Sequence, residues 1–210
     1  MSAPDGTYSH EKNGNIVLST VQNMTEDSIL VEASRVLLPS GERLHWQAWA
    51  LSADMEYVLF KTDHVKQWRY SSFGNYWVHR RSDGHTFPVI PPTSPPTITR
   101  CNWSPVSHSL AFVSENDLYV VPANEMASSE PKVIRVTDDG SAVVFNGVPD
   151  WVYEEEVLSG DSATWWSPDG QSLAFLRSDE EAVRDYKLQY YNPSNDAFEP
   201  HPYTSEHDMK

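Results

Sequence analysis

Three glutamates stand together at Glu154, Glu155 and Glu156, directly after Trp151, Val152 and Tyr153. Neighbouring carboxylates repel one another, and the repulsion is relieved when an ammonium group sits between them. In a helix consecutive side chains are rotated by about 100° and do not face each other, yet two adjacent carboxylates can still reach one cation from its two sides. The same run also suits a solvated acidic first turn favoured by a helix dipole. Both readings are open on these residues alone.

Other groups offer less. Gly-x-Ser-x-Gly, the nucleophile elbow of a hydrolase, does not occur in the sequence. Gly160-Asp161-Ser162-Ala163 lacks the flanking glycines of an oxyanion nest, so Ser162 reads as part of a loop returning to a strand. The eight histidines are scattered, and His201 and His207 have no carboxylate or cysteine partners at ligand spacing. No catalytic residue, metal or cofactor is expected.

With 15 Lys and Arg against 30 Asp and Glu, the 210-residue chain carries a formal charge of -15. That balance opposes phosphate backbones and anionic membrane surfaces, and it suits cationic ligands or a dispersed acidic surface. One cysteine, Cys101, forms no internal disulfide and reads as a small core residue. Met1–Gly6 has no leader character, and no run approaches the roughly 20 apolar residues of a membrane span. Asn23-Met24-Thr25 and Asn102-Trp103-Ser104 fit the glycosylation pattern, Asn23 being the better placed because Asn102 adjoins a buried strand.

The elements that must position the glutamates are strands. Tyr57–Phe60, Tyr76–Val78, Leu110–Val113, Leu118–Val121 and Val133–Val136 are rich in β-branched and aromatic residues. Asn13-Gly14, Asp83-Gly84, Asp139-Gly140 and Asp169-Gly170 offer tight hairpins between strands. Trp103-Ser104-Pro105 followed by Ser109-Leu110-Ala111-Phe112 recurs as Trp166-Ser167-Pro168 followed by Ser172-Leu173-Ala174-Phe175. A worn copy runs from Leu51-Ser52 to Tyr57–Phe60. A period of roughly 50 to 60 residues is that of a four-stranded propeller blade. The expectation is an all-β, partial β-propeller of three to four blades across residues 1–210, an incomplete ring belonging to something longer. Pro88–Pro96 reads as an inter-blade connection, and residues 150–158 as a short helical insertion bearing the glutamates.

The segment Asn146–Val157, continuing into Ala163–Gly170, closely resembles the glutamate-motif region of the dipeptidyl peptidase IV family. Val65-Lys66-Gln67-Trp68-Arg69-Tyr70-Ser71 is similar to that family's arginine-bearing segment, and the two motifs follow the family's order. The likeness spans Leu51 to Leu176, and Ser71–Tyr76 looks closest to the fungal dipeptidyl aminopeptidases. The resemblance implies that Glu155 and Glu156 hold the free α-ammonium of a peptide and that Arg69 reaches its backbone carbonyl. The bond after the second residue, preferentially proline or alanine, is then the one cut. An α-amino group of pKa near 8 is charged at neutral pH, so paired carboxylates discriminate against a blocked amine. In such a protein the nucleophile sits on an α/β-hydrolase domain that these residues do not contain. The resemblance also implies a membrane-anchored glycoprotein of the vacuolar or secretory lumen. A departure appears at Ser178–Tyr186, where the family usually has a proline-containing strand. The competing expectation is a propeller that binds or scaffolds without catalysis, with Arg69 in an ordinary surface ion pair.

Overall fold

The computed structural model describes residues 6–21, 27–128 and 130–184 in full, and strands at 186–189 and 200–203 by their backbone alone. Asn23, His207 and the side chain of His201 lie outside the described residues. The first sheet pairs β1 (Thr7–Lys12), β2 (Asn15–Thr20) and β3 (Asp27–Val31) in order. The second runs through β4 (Ala48–Leu51), β5 (Tyr57–Lys66), β6 (Ser72–Arg80) and β7 (Thr86–Pro88). The third runs through β8 (Ile98–Trp103), β9 (Leu110–Ser114), β10 (Asp117–Val121) and β11 (Ile134–Arg135). All neighbours are antiparallel, and a lone Gly74–Ile98 pairing links the second and third sheets. Pro88 closes the edge strand β7, where a missing N–H costs no ladder bond.

The fourth sheet holds the site. β12 (Val144–Asn146) pairs with β15 (Arg177–Asp179), while β13 (Thr164–Trp166) pairs with β14 (Leu173–Phe175). In register, Val144 opposes Asp179, Thr164 opposes Phe175 and Trp166 opposes Leu173. β12 and β13 therefore lie end to end against one continuous partner, residues 173–179. The Ala163 N–H donates to Gly147 O at 3.0 Å and closes the gap. Residues 148–162 are thus an excursion from a single strand position. The segment around Ser178 pairs as a strand despite its departure from the family's pattern.

Packing explains why the strands read as apolar runs. In β5, Tyr57 and Leu59 join Phe87, Ile98, Leu110 and Phe112 between the second and third sheets. Val58 and Phe60 face the other way, onto Ile16, Val31, Val36 and Leu44 beside the first sheet. A strand covered on both faces loses its polar alternation. The repeat is equally physical: Ser52, Ser104 and Ser167 each donate their backbone N–H to the carbonyl five residues on, at Tyr57, Ser109 and Ser172, at 2.8 to 2.9 Å.

Some turns differ from expectation. Asn13-Gly14 has positive φ at both positions, and Gly170 at one, as tight hairpins require. Asp139-Gly140 makes no hairpin, because β11 and β12 are not paired. Glycine is needed there for close approach, since a Cβ on Gly140 would sit 2.7 Å from the Asn116 backbone. The β9–β10 hairpin instead turns at Glu115-Asn116, both at positive φ, a pair without the usual glycine signal. Val133–Val136 narrows to the two residues of β11.

Candidate functional site

Arg69 sits in the turn between β5 and β6. That turn closes locally: Gln67 N–H donates to Ser71 O at 3.1 Å, Trp68 N–H to Ser71 Oγ at 3.3 Å, and Lys66 Nζ to Arg69 O at 2.6 Å. Trp68 packs against Val113, Leu118, Phe145 and Val148, so the turn is fastened to the core between the third and fourth sheets. At its exit Lys61 Nζ donates to Ser72 O at 2.9 Å and Ser72 Oγ at 2.6 Å. Burial pushes the Lys61 amine down to about 8, an effect that Asp161 opposes and Arg100 reinforces.

The glutamates lie on a helical segment over residues 151–157, matching the expected insertion. Asp150 starts it, its Oδ1 accepting the Tyr153 N–H at 2.8 Å and its carbonyl the Glu154 N–H at 2.8 Å. The next turn is wide: Leu158 N–H reaches back five residues to Tyr153 O at 2.7 Å, a π-type turn of the kind frequent at functional sites. Past the helix, Arg100 Nη1 on β8 pairs with Asp161 Oδ1 at 2.8 Å and ties the returning chain to the third sheet.

The three glutamates occupy three environments. Glu154 is fully buried, and its Oε1 accepts the N–H groups of Tyr70 at 2.6 Å and Ser71 at 2.9 Å. Its Oε2 is buried with no hydrogen-bond partner among the described residues. Glu155, its side chain 26% exposed, places Oε1 2.8 Å from Nη2 of Arg69, whose side chain is 61% exposed. Glu156 is exposed, with no ion-pair partner among the described residues. Of the three residues singled out from sequence, Arg69 and Glu155 are thus in contact, and Glu156 adjoins them on the open side. The missed residue is Glu154. Three consecutive helical positions sweep about 200°, so a helix lying on a protein surface must turn one of them inward. That geometric rule signals that one of the three is buried without saying which.

The enclosed space at the site is small, a cavity of about 10 Å³ beside Trp68, Phe145, Val148 and Glu154. It holds no more than about one water. Larger clefts of 780 Å³, around Asp63 and Pro92–Pro96, and 580 Å³, between Ile29 and Arg81, lie elsewhere. Glu155 and Glu156 therefore lie at an open surface. Ser162 hydrogen-bonds to the start of β13, its Oγ 3.2 Å from Thr164 Oγ1. Asp54, Glu56 and His108 form one group of potential metal ligands. His108, however, already contacts Asp54 through Nδ1 and Ala123 O through Nε2 at 3.1 Å, and so joins the second and third sheets. Burial pushes the Cys101 thiol upward and leaves it inert.

Successive antiparallel sheets, with a helical excursion that brings Glu155 to Arg69 in the β5–β6 turn, define part of a β-propeller. The dipeptidyl peptidase IV N-terminal region matches residues 52–210, and the chain belongs to that family. It is 37% identical over 186 residues to dipeptidyl aminopeptidase B of Saccharomyces cerevisiae, covering 89% of this chain and 22% of that protein. A Tuber melanosporum protein named "Probable dipeptidyl-aminopeptidase B" is 38% identical over 174 residues, covering 81% of this chain and 19% of that one. The crystal structure of Porphyromonas gingivalis dipeptidyl peptidase 4 superposes with a TM-score of 0.73 at 26% identity. It covers 97% of this chain and 28% of that one. The chain spans about a fifth of the length of these fungal relatives.

Proposed function

We propose that this chain is the amine-anchoring and substrate-gating propeller portion of a serine-type dipeptidyl peptidase that removes amino-terminal X-Pro or X-Ala dipeptides. The observation that carries the reading is the 2.8 Å Arg69–Glu155 ion pair, with Glu156 exposed one residue on. A peptide ammonium is a compact cation that competes with the guanidinium for Glu155 and gains a second carboxylate from Glu156. Arg69, freed at a mostly exposed position, then turns to the peptide carbonyl. Holding both ends of the first residue fixes how far the chain extends and so which bond meets a nucleophile. In this reading residues 1–210 form part of a longer ring, and an α/β-hydrolase domain joined to it supplies the serine; the relatives are named dipeptidyl aminopeptidases, and this chain spans about a fifth of their length.

The test is calorimetric. An alanyl-prolyl peptide with a free amine binds this chain at least about tenfold more tightly than its acetylated twin, because acetylation removes the charge. The preference is full below about pH 7 and fades above about pH 8 as the amine deprotonates. Glu155→Ala abolishes it. Equal affinities for the two peptides would defeat the anchoring role and leave a non-catalytic scaffold.

A further inference from the structure

Glu154 joins the two halves of the site. One oxygen of its fully buried carboxyl takes two consecutive backbone N–H groups, those of Tyr70 and Ser71, which directly follow Arg69. The next residue on the same helical turn, Glu155, takes the Arg69 side chain. A two-residue stretch of helix therefore holds both the backbone and the guanidinium of one arginine. The Arg69 side chain is itself mostly exposed, so packing does not fix it. What fixes it is the path of its backbone, set by Glu154 on one side and by Trp68 in the core on the other.

We infer that Glu154 is a positioning residue: it sets the separation between the Arg69 guanidinium and the Glu155 carboxylate, and with it the distance between the ammonium and carbonyl that the site accepts. The functional half of this inference rests on the amine-anchoring reading; the structural half does not. In the sequence Glu154 is one of three equal acids, yet its burial and its hydrogen bonds mark it as part of the frame. Glu155 and Glu156 remain to meet a ligand. A carboxyl suits this task because one oxygen accepts two donors at once, aligning two successive peptide planes. The π-type turn accommodates it, since the wider winding over Tyr153–Val157 contains both residues, with Glu155 on the Arg69 side and Glu154 buried.

Two measurements on this chain test it. Hydrogen exchange reads the frame without any ligand. Tyr70 and Ser71 amides exchange at least about a hundredfold more slowly than open loop amides in the native chain and in Glu154→Gln, whose amide carbonyl still accepts both bonds. They lose that protection in Glu154→Ala. Fast exchange of both amides in the native chain would overturn the inference, and this readout stands even where Glu154→Ala fails to fold.

Peptide binding reads the consequence. Glu154→Ala weakens the free-amine peptide about tenfold and Glu154→Gln by less than about threefold. In an Arg69→Ala background Glu154→Ala weakens it no further, because its effect passes through Arg69. An undiminished penalty in that background would reduce Glu154 to general stability and overturn the positioning role. Slow exchange in a native chain that shows no free-amine preference would support the frame and defeat the amine reading, so the two failures are distinguishable.

Discussion

Ser109-Leu110-Ala111-Phe112 and Ser172-Leu173-Ala174-Phe175 have the same sequence and follow turns of equal length, yet they live in different surroundings. Leu110, Ala111 and Phe112 are 0%, 1% and 1% exposed, packed between neighbouring sheets. Leu173 is half-buried, Ala174 is exposed and Phe175 is 37% exposed. Identical strand residues therefore pair in the same antiparallel way but are not equally buried. The contribution of an apolar strand is set by what covers its two faces, and that lies outside the strand.

The sharpest way to break this comparison is truncation. Phe112→Ala costs about 3 to 5 kcal/mol, through lost burial and the cavity left behind, whereas Phe175→Ala costs about 1 kcal/mol or less. Chemical denaturation of both variants checks this, and equal losses would mean that the fourth sheet is as well covered as the third.

Covering a sheet on both faces also makes it acid-sensitive. His79 on β6 is 4% exposed, with Nδ1 2.9 Å from Thr86 Oγ1, and burial pushes its pKa from 6.5 down to about 4. The unfolded chain takes up the proton first, so the stability linked to neutral His79 is complete above about pH 6.5. It is lost as pH falls through 4, on the order of 2 kcal/mol in all. Melting temperatures measured across that window fall for the native chain, and the fall is much smaller in His79→Gln.

The smallest effect concerns the serines of the repeat. Ser52 Oγ donates to Asp54 Oδ1 at 2.6 Å and accepts the Tyr57 N–H at 3.0 Å. Ser104 has Val106 where Ser52 has Asp54, and its buried Oγ lacks a hydrogen-bond partner among the described residues. It is covered by Gly170 of the next sheet, where a Cβ would lie 2.5 Å away. Ser52→Ala costs about 1 to 2 kcal/mol, while Ser104→Ala is within about 0.5 kcal/mol of neutral, because it removes an unpaired polar group. Reversal of that order in thermal unfolding would show that the hydroxyls do not govern the two turns.

Much of this architecture is legible in the residues. The strand runs, the recurring serine turns, the proline-rich connection and the helical excursion all follow from side-chain shape and backbone preference acting within a few positions. Glu115-Asn116 escapes notice because a hairpin can use positive φ without glycine, and Asp139-Gly140 misleads because glycine also serves close approach. At the site, Arg69, Glu155 and Glu156 stand out only through the family resemblance, and nothing in the residues themselves separates Glu154 from its two neighbours.

The chain's own order determines where it turns, where it extends and which residues carry charge, since those properties are fixed by covalent structure and nearest neighbours. Which of three adjacent carboxyls is buried is decided only in the folded molecule. Glu154 finds its partners 84 and 83 residues earlier, at Tyr70 and Ser71. Contacts so distant along the chain exist only once separate sheets have packed together and set the helix down on one particular face.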